Sequence, residues 1–173
     1  MIKYLLIFSS VDGHTKNICD RLHLNLNNKH NSKVISIENA DREDLSAYDY
    51  IIIGASIRYG KHRSSLYKFI KKNITILDKK NNAFFSVNVV ARKENKGTPE
   101  TNPYIQKFLK KSQWQPKNLA VFAGKINYRK YNFFDKHIIR FIMWITKGPT
   151  DLKEAYDFTN WENVDNFCKK LNF

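Results

Sequence analysis

The chain has 173 residues, 42% hydrophobic and 14% aromatic, enough for one well-packed core but not for two comfortable domains. Plentiful aromatics and the lack of any repeat or low-complexity tract exclude a disordered or solenoid chain. The formal net charge is +14, and it is unevenly placed: residues 58–147 hold 21 Lys/Arg against 4 Asp/Glu, the remainder 9 against 12. Abundant Lys, Asn and Ile suit an AT-rich coding bias, but such a bias acts everywhere, so the uneven distribution implies a basic face toward an anionic partner.

Ile2 to Phe8 is a nearly continuous apolar run, the pattern of a parallel strand covered on both sides. It is too short for a signal-peptide core and leads into Ser-Ser-Val-Asp-Gly rather than a cleavage site, so no leader is expected here. Ile18, Leu22 and Leu26 then recur every four residues as the stripe of a helix. Val34–Ile37 reads as a second strand and Tyr50–Ile53, ending at Gly54, as a third. Leu66, Phe69, Ile70, Ile74 and Leu77 follow helical spacing; Ala83–Val90 is a fourth strand. A helix over about 103–111 carries Tyr104, Ile105, Phe108 and Leu109, and Leu119–Ala123, closed by Gly124, is a fifth strand. Thr159-Asn-Trp-Glu162 has the form of a capping box, opening a last helix with the stripe Trp161, Val164, Cys168 and Leu171. Five alternations of strand and helix predict an α/β domain with a parallel sheet covered on both faces. The stretch from Lys125 to Leu152 is too long for an ordinary connection and reads as a functional insertion in a single domain spanning 1–173.

The two cysteines stand far apart on apolar helix faces, and His14, His23, His30, His62 and His137 lack metal-ligand spacing. No disulfide framework or metal site is expected, and a reducing cytoplasm is the natural compartment.

In such a sheet, ligands bind beyond the carboxyl ends of the strands. Three loops fall there. The first is Ser9, Ser10, Val11, Asp12, Gly13, His14 and Thr15. Its hydroxyls can donate to phosphate oxygens, Gly13 lets the backbone come close, and the following helix offers free N–H groups. It matches neither the G-x-G-x-x-G fingerprint nor the P-loop, and read alone it is also compatible with a plain turn and N-cap. Asp12 would repel a phosphate unless it points outward or caps the helix. The second loop follows Gly54: Ala55, Ser56, Ile57, Arg58, Tyr59 and Gly60, where small residues admit a ligand and Tyr59 offers a ring to stack on a flat heterocycle or to pack on the surface. The third is Ser86, Val87, Asn88, Val89, Val90, Ala91 and Arg92, with Asn88 and Arg92 able to bond a ring edge or an acidic ligand.

Taken together, FSSVDGHT (8–15), IIIGASIRYGKH (51–62), FFSVNVVARKENKGTPETN (84–102), KFLKKSQWQPKNLAVFAG (107–124) and TNWENVDNF (159–167) resemble flavodoxins, and more closely the menaquinone-dependent protoporphyrinogen oxidases. The first loop departs from the common flavodoxin pattern T-x-T-G-x-T, but its hydroxyls survive in kind. The resemblance implies a flavodoxin-like five-stranded parallel sheet, FMN held by the three loops, and removal of six electrons from protoporphyrinogen IX in three steps. The electrons would pass to a membrane quinone, menaquinone or ubiquinone, from the cytoplasmic side of the inner membrane, in haem biosynthesis. The redox chemistry belongs to the cofactor. No side chain stands out as a general acid or base, and none is assigned a catalytic role.

Within the insertion, Phe134, Ile138, Phe141, Ile142 and Ile145 share one helical face, with Lys136, Arg140 and Lys147 on the other. The run is well short of a bilayer span, so an interfacial helix on an anionic membrane is one reading and a helix packed on its own sheet the other. Arg129, Lys130, Tyr131 and Arg140 pair cations with amphipathic rings and are the substrate or membrane candidates. The competing readings are an NAD(P)H:quinone reductase and an electron-carrier flavodoxin, the latter at odds with the basic surface. No helix-turn-helix, zinc-finger or RNP motif supports a nucleic-acid binder, and none is expected as a partner.

Overall fold

A computed structural model describes residues 1–171. Five strands form a parallel sheet in the order β2-β1-β3-β4-β5: β1 (Lys3–Ser9), β2 (Asn31–Ser36), β3 (Tyr50–Ser56), β4 (Asn81–Val87) and β5 (Asn118–Phe122). Helices α1 (His14–Asn27), α2 (Ser64–Lys79) and α3 (Pro103–Ser112) alternate with them, and α5 (Trp161–Leu171) closes the fold.

Alternation along the strands decides which helix covers which face. Tyr4, Leu6, Tyr50, Ile52 and Phe85 pack with the stripes of α1 and α5. Leu5, Ile7, Ile51, Ile53 and Phe84 pack with α2 and α3. Phe84 and Phe108 stack with ring centres 3.8 Å apart. Because both faces are covered, the strands read in sequence as continuous apolar runs rather than alternating ones.

The last helix departs from the capping box in one respect. Asn160, not Thr159, caps it, its Oδ1 accepting from the Asn163 amide at 3.1 Å. The buried stripe runs through Val164, Phe167, Cys168 and Leu171, while Trp161 stays partly exposed.

The stretch between β5 and α5 is organised by a two-stranded antiparallel ladder, β6 (Lys125–Asn127) with β7 (Ala155–Asp157). Helix α4 (Phe133–Ile145) stands between them. A small cluster of its own, Ile126, Tyr128 and Met143 against Val89, Ile139 and Tyr156, roots this unit beside the carboxyl ends of β4 and β5. Tyr128 is therefore a core residue, with its hydroxyl donating to the Pro149 carbonyl at 2.9 Å.

α4 turns the opposite way from a core helix. Asp135 and Met143 are buried and Ile139 partly so. Of the sequence-predicted stripe, Phe134 (76% exposed), Phe141 (59%) and Ile145 face outward, beside Phe133 at 71% and Trp144 at 68%, while the half-exposed Ile138 and Ile142 border a cleft.

Candidate functional site

The register brings the strand ends to one edge: Ser9 pairs with Ala55, Ala55 with Ser86, and Ser86 with Val121. The chain steps from β1 outward to β2 and then back across β1 to β3, so strand order reverses at this edge. A crevice there follows from topology. Three adjoining clefts open there, the second of them walled by α4.

The first cleft, about 410 Å³, lies between the first loop, Ser56–Arg58, Val87–Val89 and Gly124–Lys125. Gly13 adopts φ 83 and serves as the N-cap of α1, a position where a side chain would be strained. No side chain caps the helix, and its first turn carries no acidic residue. Ser10 Oγ accepts from the Gly13 amide at 3.0 Å, leaving its own proton free. Thr15 is fully buried and its hydroxyl has no partner. An uncapped helix start beside an orphaned hydroxyl fits a phosphate, which would accept from both.

Asp12 neither caps α1 nor faces the phosphate cradle alone: it receives Arg58 Nη1 at 3.1 and 3.3 Å. The repulsion anticipated for its carboxylate is met by that guanidinium.

His14 is 8% exposed, and its Nε2 lies 2.6 Å from Thr159 Oγ. Thr159 spends its one proton on the Ala123 carbonyl at 2.9 Å, so His14 Nε2 must be the donor and Nδ1 an unprotonated acceptor. Burial holds this imidazole below its ordinary pKa against the pull of Asp157 at 3.8 Å, and Lys125 pushes the same way as burial.

The second cleft, about 770 Å³ and largely apolar, is bounded by Ile57–Gly60, Asn88–Val90, Tyr104 and Tyr131 on one side and Ile138, Ile142 and Met143 of α4 on the other. Arg58 and Lys61 exchange backbone hydrogen bonds at 3.0 and 3.2 Å around Tyr59 (φ 48) and Gly60 (φ 72). Two successive positive φ angles mark a type I′ turn, which a tyrosine enters only under strain. The strain is held by Asp135 of α4, 6% exposed, which accepts from the Tyr59 hydroxyl and from Arg58 Nη2 at 2.5 Å. Arg58 also lies over the Tyr59 and Tyr131 rings at 5.3 and 5.9 Å. One carboxylate thus ties α4 to the second loop.

Several expected ligand contacts are instead internal. Asn88 is buried, its Oδ1 accepting from Ala91 N and its amide nitrogen facing Ser86 and Asn102, so its side chain holds the third loop rather than reaching outward. Its neighbours Val89 and Val90 present that loop to the clefts. Arg92 donates to Val89 O and to the Thr146 carbonyl and hydroxyl, clamping the end of α4 away from both clefts. Ser9, Ala55 and Ser86 are buried in the sheet, and a Cβ on Gly54 would stand 2.1 Å from the Phe85 ring, so that glycine serves packing rather than ligand approach. Ala91 packs on the core. Arg129 donates to the Lys153 carbonyl, and Arg140 is an exposed residue of α4. Lys130 and Tyr131 do line a cleft, the third, of about 450 Å³. Lys125 lines all three and was missed, although the end of the fifth strand is by the same rule a ligand position.

A family model described as a flavodoxin domain matches residues 5–153. Protoporphyrinogen IX dehydrogenase (quinone) of Escherichia coli (strain K12) is 40% identical over 171 residues, covering 98% of this chain and 94% of that one. The protein of the same name from Leishmania major is 40% identical over 168 residues, covering 96% and 73%. The chain belongs to this flavodoxin-domain dehydrogenase family. Among solved structures, two-electron reduced Megasphaera elsdenii flavodoxin aligns with a TM-score of 0.54 at 11% identity, covering 68% of this chain and 84% of that one. A flavodoxin of Streptococcus pneumonia TIGR4 aligns with 0.53 at 13%, covering 98% and 97%. At such identities these two show the shared fold.

Proposed function

We infer that this protein is an FMN-dependent protoporphyrinogen IX dehydrogenase that passes electrons to a membrane quinone. The observation that carries the cofactor reading is the first cleft: a buried, unpartnered Thr15 hydroxyl beside an uncapped helix start. The 40% identity over nearly the whole chain supports the substrate. FMN held in this cleft would supply the two-electron redox chemistry between macrocycle and quinone.

The chain's own part is positional. The first loop, with Ser10, Gly13 and Thr15, holds the phosphate. Ile57–Gly60 and Asn88–Val90 form the walls against which a flat ring lies. Asp135 fixes Arg58 and Tyr59 so that this wall keeps its strained shape. Ile138, Ile142 and Met143 supply an apolar face for the macrocycle.

A quinone substrate lives in the bilayer, and α4 offers the means of reaching it. Its 13 residues, about 20 Å of helix, cannot cross a core of about 30 Å, and no described helix is long and apolar enough to do so. Its exposed aromatic and aliphatic side chains, with Lys136 and Arg140 beside them, suit a helix lying in an anionic interface. Attachment would be peripheral, with the clefts opening beside the membrane. Replacing Phe134, Phe141 and Trp144 together by serine should lower co-sedimentation with phosphatidylglycerol vesicles at least tenfold, leaving the FMN dissociation constant unchanged. Equal vesicle binding by the variant would contradict the membrane role of α4.

A further inference from the structure

The substrate reading leaves unassigned what recognises the two carboxylates carried side by side on one edge of the macrocycle. The third cleft has the right chemistry for them. Lys125 and Lys130 line it with Asn17 and Asn127. Neither lysine has an ion-pair partner among the described residues. The one carboxylate on its wall, Asp12, is already engaged by Arg58 at 3.1 Å. The unpartnered Asn127 side-chain oxygen is an acceptor and so takes no part in binding an anion. Two lysines without ion-pair partners among the described residues therefore line one cleft, and the single carboxylate on its wall is already engaged by a guanidinium.

The third cleft is continuous with the apolar second one, the two sharing Asp12, Lys125 and Tyr131. A ligand with a greasy body and an acidic edge would place the first against Ile138 and Ile142 and the second beyond Tyr131. The other bonding cations are committed elsewhere: Arg58 to Asp12 and Asp135, Arg92 to Thr146. The hydroxyls of the first loop open into the first cleft, not the third. We propose that Lys125 and Lys130 form an oxyanion subsite that receives the substrate's carboxylates, beside the cradle of the flavin phosphate, which Lys125 borders and Lys130 does not. This assignment rests on the protoporphyrinogen reading above.

Esterification and charge removal test it together. Lys130 lines the third cleft alone, so Lys130→Gln should raise KM for protoporphyrinogen IX about fivefold while the FMN dissociation constant, read by flavin fluorescence, stays put. The double variant Lys125→Gln/Lys130→Gln should weaken equilibrium binding of protoporphyrin IX, followed by its own fluorescence, tenfold or more. KM for protoporphyrinogen dimethyl ester should be the same in wild type and both variants, and Lys130→Arg should restore wild-type behaviour. Acid and ester responding alike, or FMN affinity falling in Lys130→Gln with the diacid KM unmoved, would overturn the subsite and in the second case assign the lysine to the phosphate. A wild-type protein inert toward protoporphyrinogen IX would instead bring down the parent reading, and the subsite with it.

Discussion

A buried hydroxyl without a partner costs free energy in the empty protein, and Thr15 carries one at the start of α1. Valine has nearly the same shape and no polar atom. Thr15→Val should therefore leave the flavin-free protein as stable or more so, by up to about 1 kcal/mol in urea unfolding, while weakening FMN about tenfold to a hundredfold. Opposite signs in the two measurements are the signature of a ligand-directed hydroxyl. A loss of stability in the flavin-free form would show that the hydroxyl is satisfied internally. Asp135 gives the reverse case, since its carboxylate is engaged by Arg58 and Tyr59 and buried. Asp135→Ala leaves a partly buried guanidinium with Asp12 alone and should cost about 1–3 kcal/mol, measured in the same way, with a rise in KM as the second loop relaxes.

At the scale of elements, the strands and helices of the sheet were legible because each is buried along one stripe or on both faces, so that hydrophobic period and structure coincide. Leu66, Phe69, Ile70 and Leu77 of α2 are buried as spaced. α4 has the same period with the opposite meaning, since hydrophobic spacing cannot distinguish an apolar face turned inward from one turned outward. The loops were legible in position but not in role. Asn88 and Arg92 look like ligand donors in sequence, yet the amide of Asn88 turns to Ser86 and Asn102 and the guanidinium of Arg92 to Val89 and Thr146. Such commitments arise from long-range pairing that no local pattern carries. His62, which the sequence offered only as one of five scattered histidines, is enclosed by Tyr67, Phe84 and Phe108 and contacts Ser86 Oγ at 3.1 Å beneath the third loop. Burial, with Lys111 nearby, pushes its pKa down to about 4. The folded protein then binds fewer protons than the unfolded chain between about pH 4 and 6.5, so stability is complete above 6.5 and is lost as pH falls toward 4. The loss is on the order of 3 kcal/mol. Comparing urea midpoints at pH 7 and pH 5, the fall seen in wild type should be much reduced in His62→Leu; an equal fall in both would place the acid sensitivity elsewhere.

The whole molecule is a basic flavodoxin-domain protein whose sheet edge is roofed by an outward-greasy helix. Charge and roof belong together in the proposed function: a basic surface is the opposite of an electron carrier's acidic one and would suit an acidic substrate and an anionic membrane. Its three clefts adjoin one another around Asp12 and Lys125, an arrangement that under the proposed function would set a flavin phosphate, an apolar macrocycle and its carboxylates side by side. Complete oxidation removes six electrons from each porphyrinogen, and each quinone accepts two. The most direct measurement is therefore anaerobic turnover of the FMN-loaded protein with protoporphyrinogen IX and menaquinone in vesicles, following porphyrin fluorescence and quinol together. Three quinols formed per protoporphyrin IX, with none formed when FMN is omitted, is the predicted result. Quinone reduction driven by NADH, with no porphyrin formed from protoporphyrinogen, would contradict it.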